Sequence, residues 1–226
     1  MEKTRGIIVV DAGHGEKGNP HTTREGFYEG TQNYKLSLYL RDELVSRGFE
    51  VKLTREQVTD DPELMWRGGI AGEIGAVMFI SLHSNAPATN IPPEEYIATR
   101  GVETYYSVKD LEGNAPIAKA LNDAVIGVMN TADRGIKIRR SNENPDEDFY
   151  RVIRSAANSG CVRAFLVEHG FHTNPEDSAM LQSDEYLARI AKAEAEVLEK
   201  IKAALDEGKT VLLFGSEPFT ALPTSF

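Results

Sequence analysis

The 226-residue sequence contains a single cysteine, Cys161. One thiol cannot form an intrachain disulfide, and zinc sites built from several cysteines are excluded. Any zinc site here must therefore draw on histidine and carboxylate. Cys161 precedes an apolar run in "NSGCVRAFLVEHG" and reads as a buried structural thiol, because free cysteines mostly behave as small hydrophobes. No run of about eighteen apolar residues occurs, which leaves no membrane-spanning helix and no expected membrane insertion. The opening "MEKTRGIIVVDAG" enters a strand directly, without the n-region, h-region and cleavage site of a secretory signal. Positive charge is also in deficit: 25 Lys and Arg stand against 35 Asp and Glu, a net charge of -10. A field of that sign repels nucleic acid and anionic membrane, so neither is an expected partner.

What is present suits one globular domain, with 41% hydrophobic and 27% charged residues. Five segments read as strands: 6–10, 49–54, 76–82, 102–108 and 162–168. The first, third and fifth are nearly continuous apolar runs, as expected where helices cover both faces of a parallel strand. A sixth strand is expected at "DFYRVI" (148–153). Helical patterns fall at 31–47, with Gly48 as C-terminal cap, after Asp61-Pro62, over 114–129, at "NPED" with Asn174 as cap, and over 184–206. Alternation of this kind predicts an α/β fold, an open, mainly parallel twisted sheet of five to six strands with helices on both faces. Residues 1–206 read as the catalytic domain and 207–226 as a C-terminal tail, either an extra strand or a linker remnant.

The stretch "VVDAGHGEKG" holds a G-x-G-x-x-G behind the first strand, a pattern shared with dinucleotide-binding turns. That reading fails twice. Gly18 leads into the loop-like "NPHTTREGF" rather than a helix, and the second strand ends in Thr54-Arg55 rather than an acid for a ribose. A metal reading succeeds. His14 follows the first strand, Glu29 stands at the threshold of the first helix, His83 follows the third strand and Glu168 ends the fifth. All four fall at the carboxyl edge of the sheet, where active sites of such folds lie. Two imidazoles and one carboxylate, with a fourth position for water, make a catalytic zinc set, and a further carboxylate nearby suits a general base.

At "VVDAGHG", "FISLHSNA", "GVETYY", "RGIK" and "FLVEHGFHTNPED" the chain resembles the zinc-dependent N-acetylmuramoyl-L-alanine amidases of the Amidase_3 type, the catalytic domains of cell-wall amidases (autolysins) and phage endolysins. The resemblance runs from about Ile7 to about Leu205. It implies one Zn2+ ion, with His14, Glu29 and His83 as ligands and Glu168 as catalytic glutamate. Glu25 is a rival for the carboxylate ligand. The implied reaction is hydrolysis of the amide between the lactyl group of N-acetylmuramic acid and L-alanine of the stem peptide, and the implied partner is peptidoglycan. The alternatives are another zinc hydrolase of similar sheet architecture, an exopeptidase or deacetylase, and a non-catalytic wall-binding domain. The implied place of action is the extracytoplasmic wall, reached by lysis or as an excised domain of a secreted protein. Gram-positive walls are themselves anionic, so this acidic chain should gain little by electrostatic adhesion, and a wall-binding module outside it is the expected partner.

Smaller expectations complete the site. Asp11 either accepts from the free N–H of His14 or caps the turn. Arg67 makes a structural salt bridge, Asn85 is a turn residue, and Trp66 packs on a helix face. His169 and His172 belong to the pocket wall or the surface rather than to the metal, and His21 is solvated.

Overall fold

The computed structural model describes residues 4–20, 26–210 and 222–223. Its main sheet contains β1 (Ile7–Ala12), β2 (Glu50–Leu53), β3 (Met78–Asn85), β4 (Val102–Tyr106), β5 (Asp133–Lys137) and β6 (Ala164–Phe171). Their spatial order is β2-β1-β3-β6-β4-β5. The first four in that order run parallel, whereas β4 pairs antiparallel to β6 and carries β5 parallel to itself. The expected α/β class, mainly parallel sheet and strand number are therefore found. The sixth strand lies elsewhere than expected: it is β5, formed by "DRGIK", while 148–153 spans an isolated bridge at Asp148 and the start of a helix.

Helices α1 (Glu29–Ser46), α2 (Leu64–Glu73), α3 (Pro93–Ala98), α4 (Leu111–Met129), α5 (Arg151–Asn158), α6 (Pro175–Leu181) and α7 (Asp184–Asp206) complete the main fold. Strand alternation divides the core in two. Ile8 and Val10 of β1, Ile80 and Leu82 of β3, and Phe165 and Val167 of β6 pack with apolar stripes of α1, α4 and α7. The intervening residues Val9, Phe79, Ala164 and Leu166 face α2 and α5. Full burial of both sheet faces explains why β1, β3 and β6 read as unbroken apolar runs. Gly48, with φ 85, closes α1 by donating its N–H to the Val45 carbonyl, the left-handed stop that glycine permits. Asn174 caps α6 through Glu176 and Asp177. The start expected for α2 is two residues early, because Asp61 is drawn to Arg67 and the helix opens at Leu64. Among the described residues no helix is long and apolar enough to cross a membrane. Past α7, Lys209–Thr210 (β7) and Leu222–Pro223 (β8) pair antiparallel, apart from the main sheet.

On the α2/α5 side, the apolar residues stop before the carboxyl ends of the strands. Beyond Val9, Phe79 and Leu166 on the same face come Asp11, Ser81, His83 and Glu168, two residues apart along each strand. Register places Asp11 beside Ser81, His83 beside Glu168 and Glu168 beside Glu103. The sheet itself thus lays a polar row across one edge.

Candidate active site

The turn after β1 is shaped by what its neighbours leave room for. A Cβ on Gly13 would lie 2.3 Å from the His83 imidazole, and a Cβ on Gly30 would lie 1.7 Å from the Gly15 carbonyl oxygen. Glycine at both positions lets the turn nest between β3 and the first turn of α1. His14 follows with φ 63, a left-handed conformation uncommon outside glycine. The turn is tied to α1 by Gly30 N–H to the Gly18 carbonyl (3.3 Å) and the Thr31 hydroxyl to the Glu16 carbonyl (2.6 Å). Residues 13–20 form turns and a bridge, not the helix that a dinucleotide site requires.

That nesting brings Glu29, the first residue of α1, between two imidazoles. Glu29 Oε1 lies 3.0 Å from His83 Nδ1, and Oε2 lies 3.3 Å from His14 Nε2. Oε1 also accepts from the Ser84 N–H at 2.9 Å and Asn33 Nδ2 at 3.1 Å, and Oε2 accepts from Asn19 Nδ2. The carboxylate is fully buried. Burial alone would raise its pKa, but the hydrogen bonds and charges of His14 and His83 prevail and hold it well below the usual carboxylate range. One donor atom from each of His14, Glu29 and His83 lies within 4.8 Å of the other two. Tetrahedral zinc bonds of about 2.0–2.2 Å set neighbouring donors roughly 3.3–3.6 Å apart, so this trio fits such an ion with small adjustments. The rings of His14 and His83 meet edge to face at 5.0 Å, leaving the open side of the trio towards a cavity of about 510 Å³.

Glu168 lines the same cavity and is 8% exposed, with Oε2 buried and without a hydrogen-bond partner. Burial raises its pKa well above normal, and the nearby Glu29 and Glu103 carboxylates add to the effect against the opposing Lys137. An acid that grips its proton and has an unengaged oxygen at a cavity suits proton transfer. Glu103, its neighbour on β4, is neutralised differently. Arg134 Nε and the Tyr105 hydroxyl each donate to it at 2.9 Å, as do Asn85 Nδ2 at 2.9 Å and the Lys137 ammonium. These contacts outweigh burial and lower its pKa. This cluster escaped the sequence reading. Its signal was an acid inside the strand "VETYY" on the face opposite Val102 and Thr104, a position that demands partners once buried.

Several smaller expectations change. Asp11 neither contacts a His14 ring nitrogen nor caps the turn. Its oxygens accept from the Thr54 and Ser81 hydroxyls, both at 2.6 Å, and from Arg67 at 3.2 Å. Arg67 is structural as expected and is 1% exposed. It donates to the carbonyls of Pro62 (2.8 Å), Ala12 (2.8 Å) and His14 (3.2 Å) and to Asp61 (2.7 Å), pinning the turn that carries His14. His169 and His172 are on neither the cavity wall nor the surface. His169 is buried between the His83 carbonyl (3.0 Å) and Glu194 (3.1 Å), and His172 is buried against Ser84 (3.0 Å) and stacked on Phe27. Their polar neighbours are backbone and buried side chains that no local pattern announces. Trp66 lies on α2 and packs only in part, with 43% of it exposed. Asn85 is not a turn residue: it ends β3 paired with Phe171, accepts from the Ala86 N–H at 2.8 Å and donates to Glu103, while Cys161 is buried as expected. His21 and Glu25 lie outside the described residues.

This arrangement has parallels among known proteins. The chain is 28% identical over 190 residues to the Bacillus subtilis protein YqiI, covering 82% of this chain and 80% of that one. It is 25% identical over 195 residues to the N-acetylmuramoyl-L-alanine amidase CwlM of Bacillus licheniformis, covering 85% of this chain and 67% of the relative. The catalytic domain of the amidase CwlV from Bacillus (Paenibacillus) polymyxa superposes with a TM-score of 0.70 at 28% identity, over 89% of this chain and 98% of that one. The family model for N-acetylmuramoyl-L-alanine amidase matches residues 8–200, nearly all of the sheet and its helices. With that extent of agreement, the chain belongs to the N-acetylmuramoyl-L-alanine amidase family Amidase_3.

Proposed function

We propose that this peptidoglycan amidase cuts the amide between the lactyl group of N-acetylmuramic acid and L-alanine with one zinc ion, held by His14, Glu29 and His83, and with Glu168 as its proton carrier. The observation that carries the reading is the convergence on one cavity of a two-imidazole, one-carboxylate donor set and a buried acid with an unengaged oxygen. A zinc ion supplies Lewis acidity when bound, polarising an amide carbonyl and acidifying water. The chain supplies the rest. Ser84 N–H, Asn33 and Asn19 hold Glu29 in place, so its orientation does not depend on the ion. Arg67 fixes the carbonyl of His14 and with it the ring. Glu168 takes a proton from the water that attacks the amide carbon and returns it to the alanine nitrogen as the C–N bond breaks. Its raised proton affinity favours the first half of that exchange, taking the proton from water.

The same proposal takes residues 1–206 as the catalytic unit and has the wall reached by cell lysis or as a module of a longer exported protein. The test is a pair of variants assayed on purified sacculi, with metal content measured in parallel. Glu168→Gln should retain about one equivalent of zinc while release of new L-alanine amino groups falls at least ~100-fold. His83→Ala should lose the metal and the activity together. Undiminished hydrolysis by Glu168→Gln, or release of acetate or single amino acids by the parent chain, would overturn the assignment.

A further inference from the structure

The cavity has two arginines on its wall, and they are unlike. Arg67 is buried and has all its donors engaged. Arg151 is exposed, and among the described residues its side chain has neither a hydrogen bond nor an ion pair. It borders both the catalytic cavity and the shallower depression beside it, which also touches Asp61 and Leu64. Asp61 is no partner for it, being taken by Arg67 at 2.7 Å. Arg151 also opens α5, whose N-cap, Tyr150, contributes no side-chain hydrogen bond, and Tyr150, Arg151 and Val152 together form one wall. The positive end of that helix thus adds to the guanidinium. Asp11, Glu29 and Glu168 line the same cavity, in a chain of net charge -10. Arg67 is spent on Asp11 and Asp61, so among the described residues Arg151 is the cationic side chain of the cavity left free for an anionic ligand.

We infer that Arg151, with the first turn of α5, is a specificity-determining subsite that binds a carboxylate of the stem peptide just beyond the scissile amide. This rests on the amidase reading above. The planar guanidinium is suited to a two-point bond with a carboxylate, and an amide in the same place would accept the bond without the charge. The subsite therefore separates peptides with a free carboxylate from those in which it is amidated.

The test uses the zinc-loaded chain and two soluble muramoyl peptides that differ only in whether the carboxylate nearest the cut is free or amidated. The parent enzyme should favour the free acid by about 10- to 100-fold in kcat/KM, the range for a hydrogen bond to a charged group. Arg151→Ala should bring that ratio close to one through a KM that rises about 10- to 100-fold for the free acid and much less for the amidated peptide, which loses only the weaker neutral hydrogen bond. Arg151→Lys should restore part of the preference. The Arg151 side chain is exposed and makes no hydrogen bond or ion pair among the described residues, so the variant's melting point should match the parent's. A parent enzyme that cuts both peptides equally, or an Arg151→Ala variant that keeps the preference or loses both substrates alike, overturns the subsite while leaving the amidase reading intact. A parent enzyme that cuts neither refutes that reading and the subsite with it.

Discussion

Replacing Arg67 with methionine keeps most of the side-chain volume and removes every polar contact. In the fold, the guanidinium is 1% exposed and donates to Asp11, Asp61 and the carbonyls of Pro62, Ala12 and His14. Without it, Asp11 is a fully buried carboxylate with only the Thr54 and Ser81 hydroxyls for compensation. Removing one partner of a buried ion pair costs about 3–5 kcal/mol, because the other charge is stranded. In a domain of this size each kcal/mol moves the melting temperature by roughly 2–4 °C, so Arg67→Met should melt roughly 6–20 °C lower. Asp11→Asn removes the stranded charge, and the double variant should be more stable than the sum of the single losses predicts, by about 0.5–3 kcal/mol. Calorimetry on the parent, both single variants and the double variant, each with and without a chelator, supplies the whole cycle. Because Arg67 also holds the carbonyl of His14, zinc affinity should fall about 10- to 100-fold in Arg67→Met. A melting point within 2 °C of the parent (less than about 1 kcal/mol), or a double variant that is merely additive, would refute the claim that this arginine holds the metal-side turn through Asp11.

Two further predictions follow from single positions. Gly13→Ala places a methyl 2.3 Å from the His83 ring and should displace it, so that zinc binding weakens more than folding does; unchanged metal affinity by isothermal titration would contradict the packing described. Burial pushes the Cys161 thiol up to about 11 from the ordinary 9.0, so the native protein should resist thiol reagents at pH 8 while the unfolded chain reacts. Since the folded value is the higher one, this thiol's contribution to stability is intact below about pH 9 and is lost as pH rises towards about 11. Denaturant titrations at pH 8 and 10.5 should show that loss in the parent and not in Cys161→Ala; equal slopes would exclude it.

The outcome for individual elements shows which features are readable along a chain. β1, β3 and β6 and the long helix α7 were legible because each buries a continuous or periodic apolar surface of its own. The convergence of candidate site residues was legible because strand ends of a parallel sheet meet at one edge, so His14, His83 and Glu168 fall together once the strands are placed. β5 was missed because "DRGIK" is short, half-exposed and polar, and becomes a strand only by pairing with β4. The pattern of "FYRVI", rich in aromatic and β-branched residues, points to a strand, but burial of α5 against α2 and β6 overrides that preference. Trp66 lies on a helix but outside its packed face, and only the docking of α2 reveals which side that is.

By itself the sequence determined the fold class and the edge of the sheet on which His14, His83 and Glu168 meet, because these follow from local periodicity and the chirality of parallel β–α connections. The tertiary structure alone decided the reversal of β4 and β5 beside β6, the pinning of the His14 turn by Arg67, the clamped Glu103 next to Glu168 and the unpaired Arg151 on the cavity wall. The reason is that a residue's pattern reports whether it will be buried, while the partner that compensates its charge or hydrogen bonds comes from a distant segment. Arg67 and Asp11, 56 positions apart, have no signal in common until the chain folds.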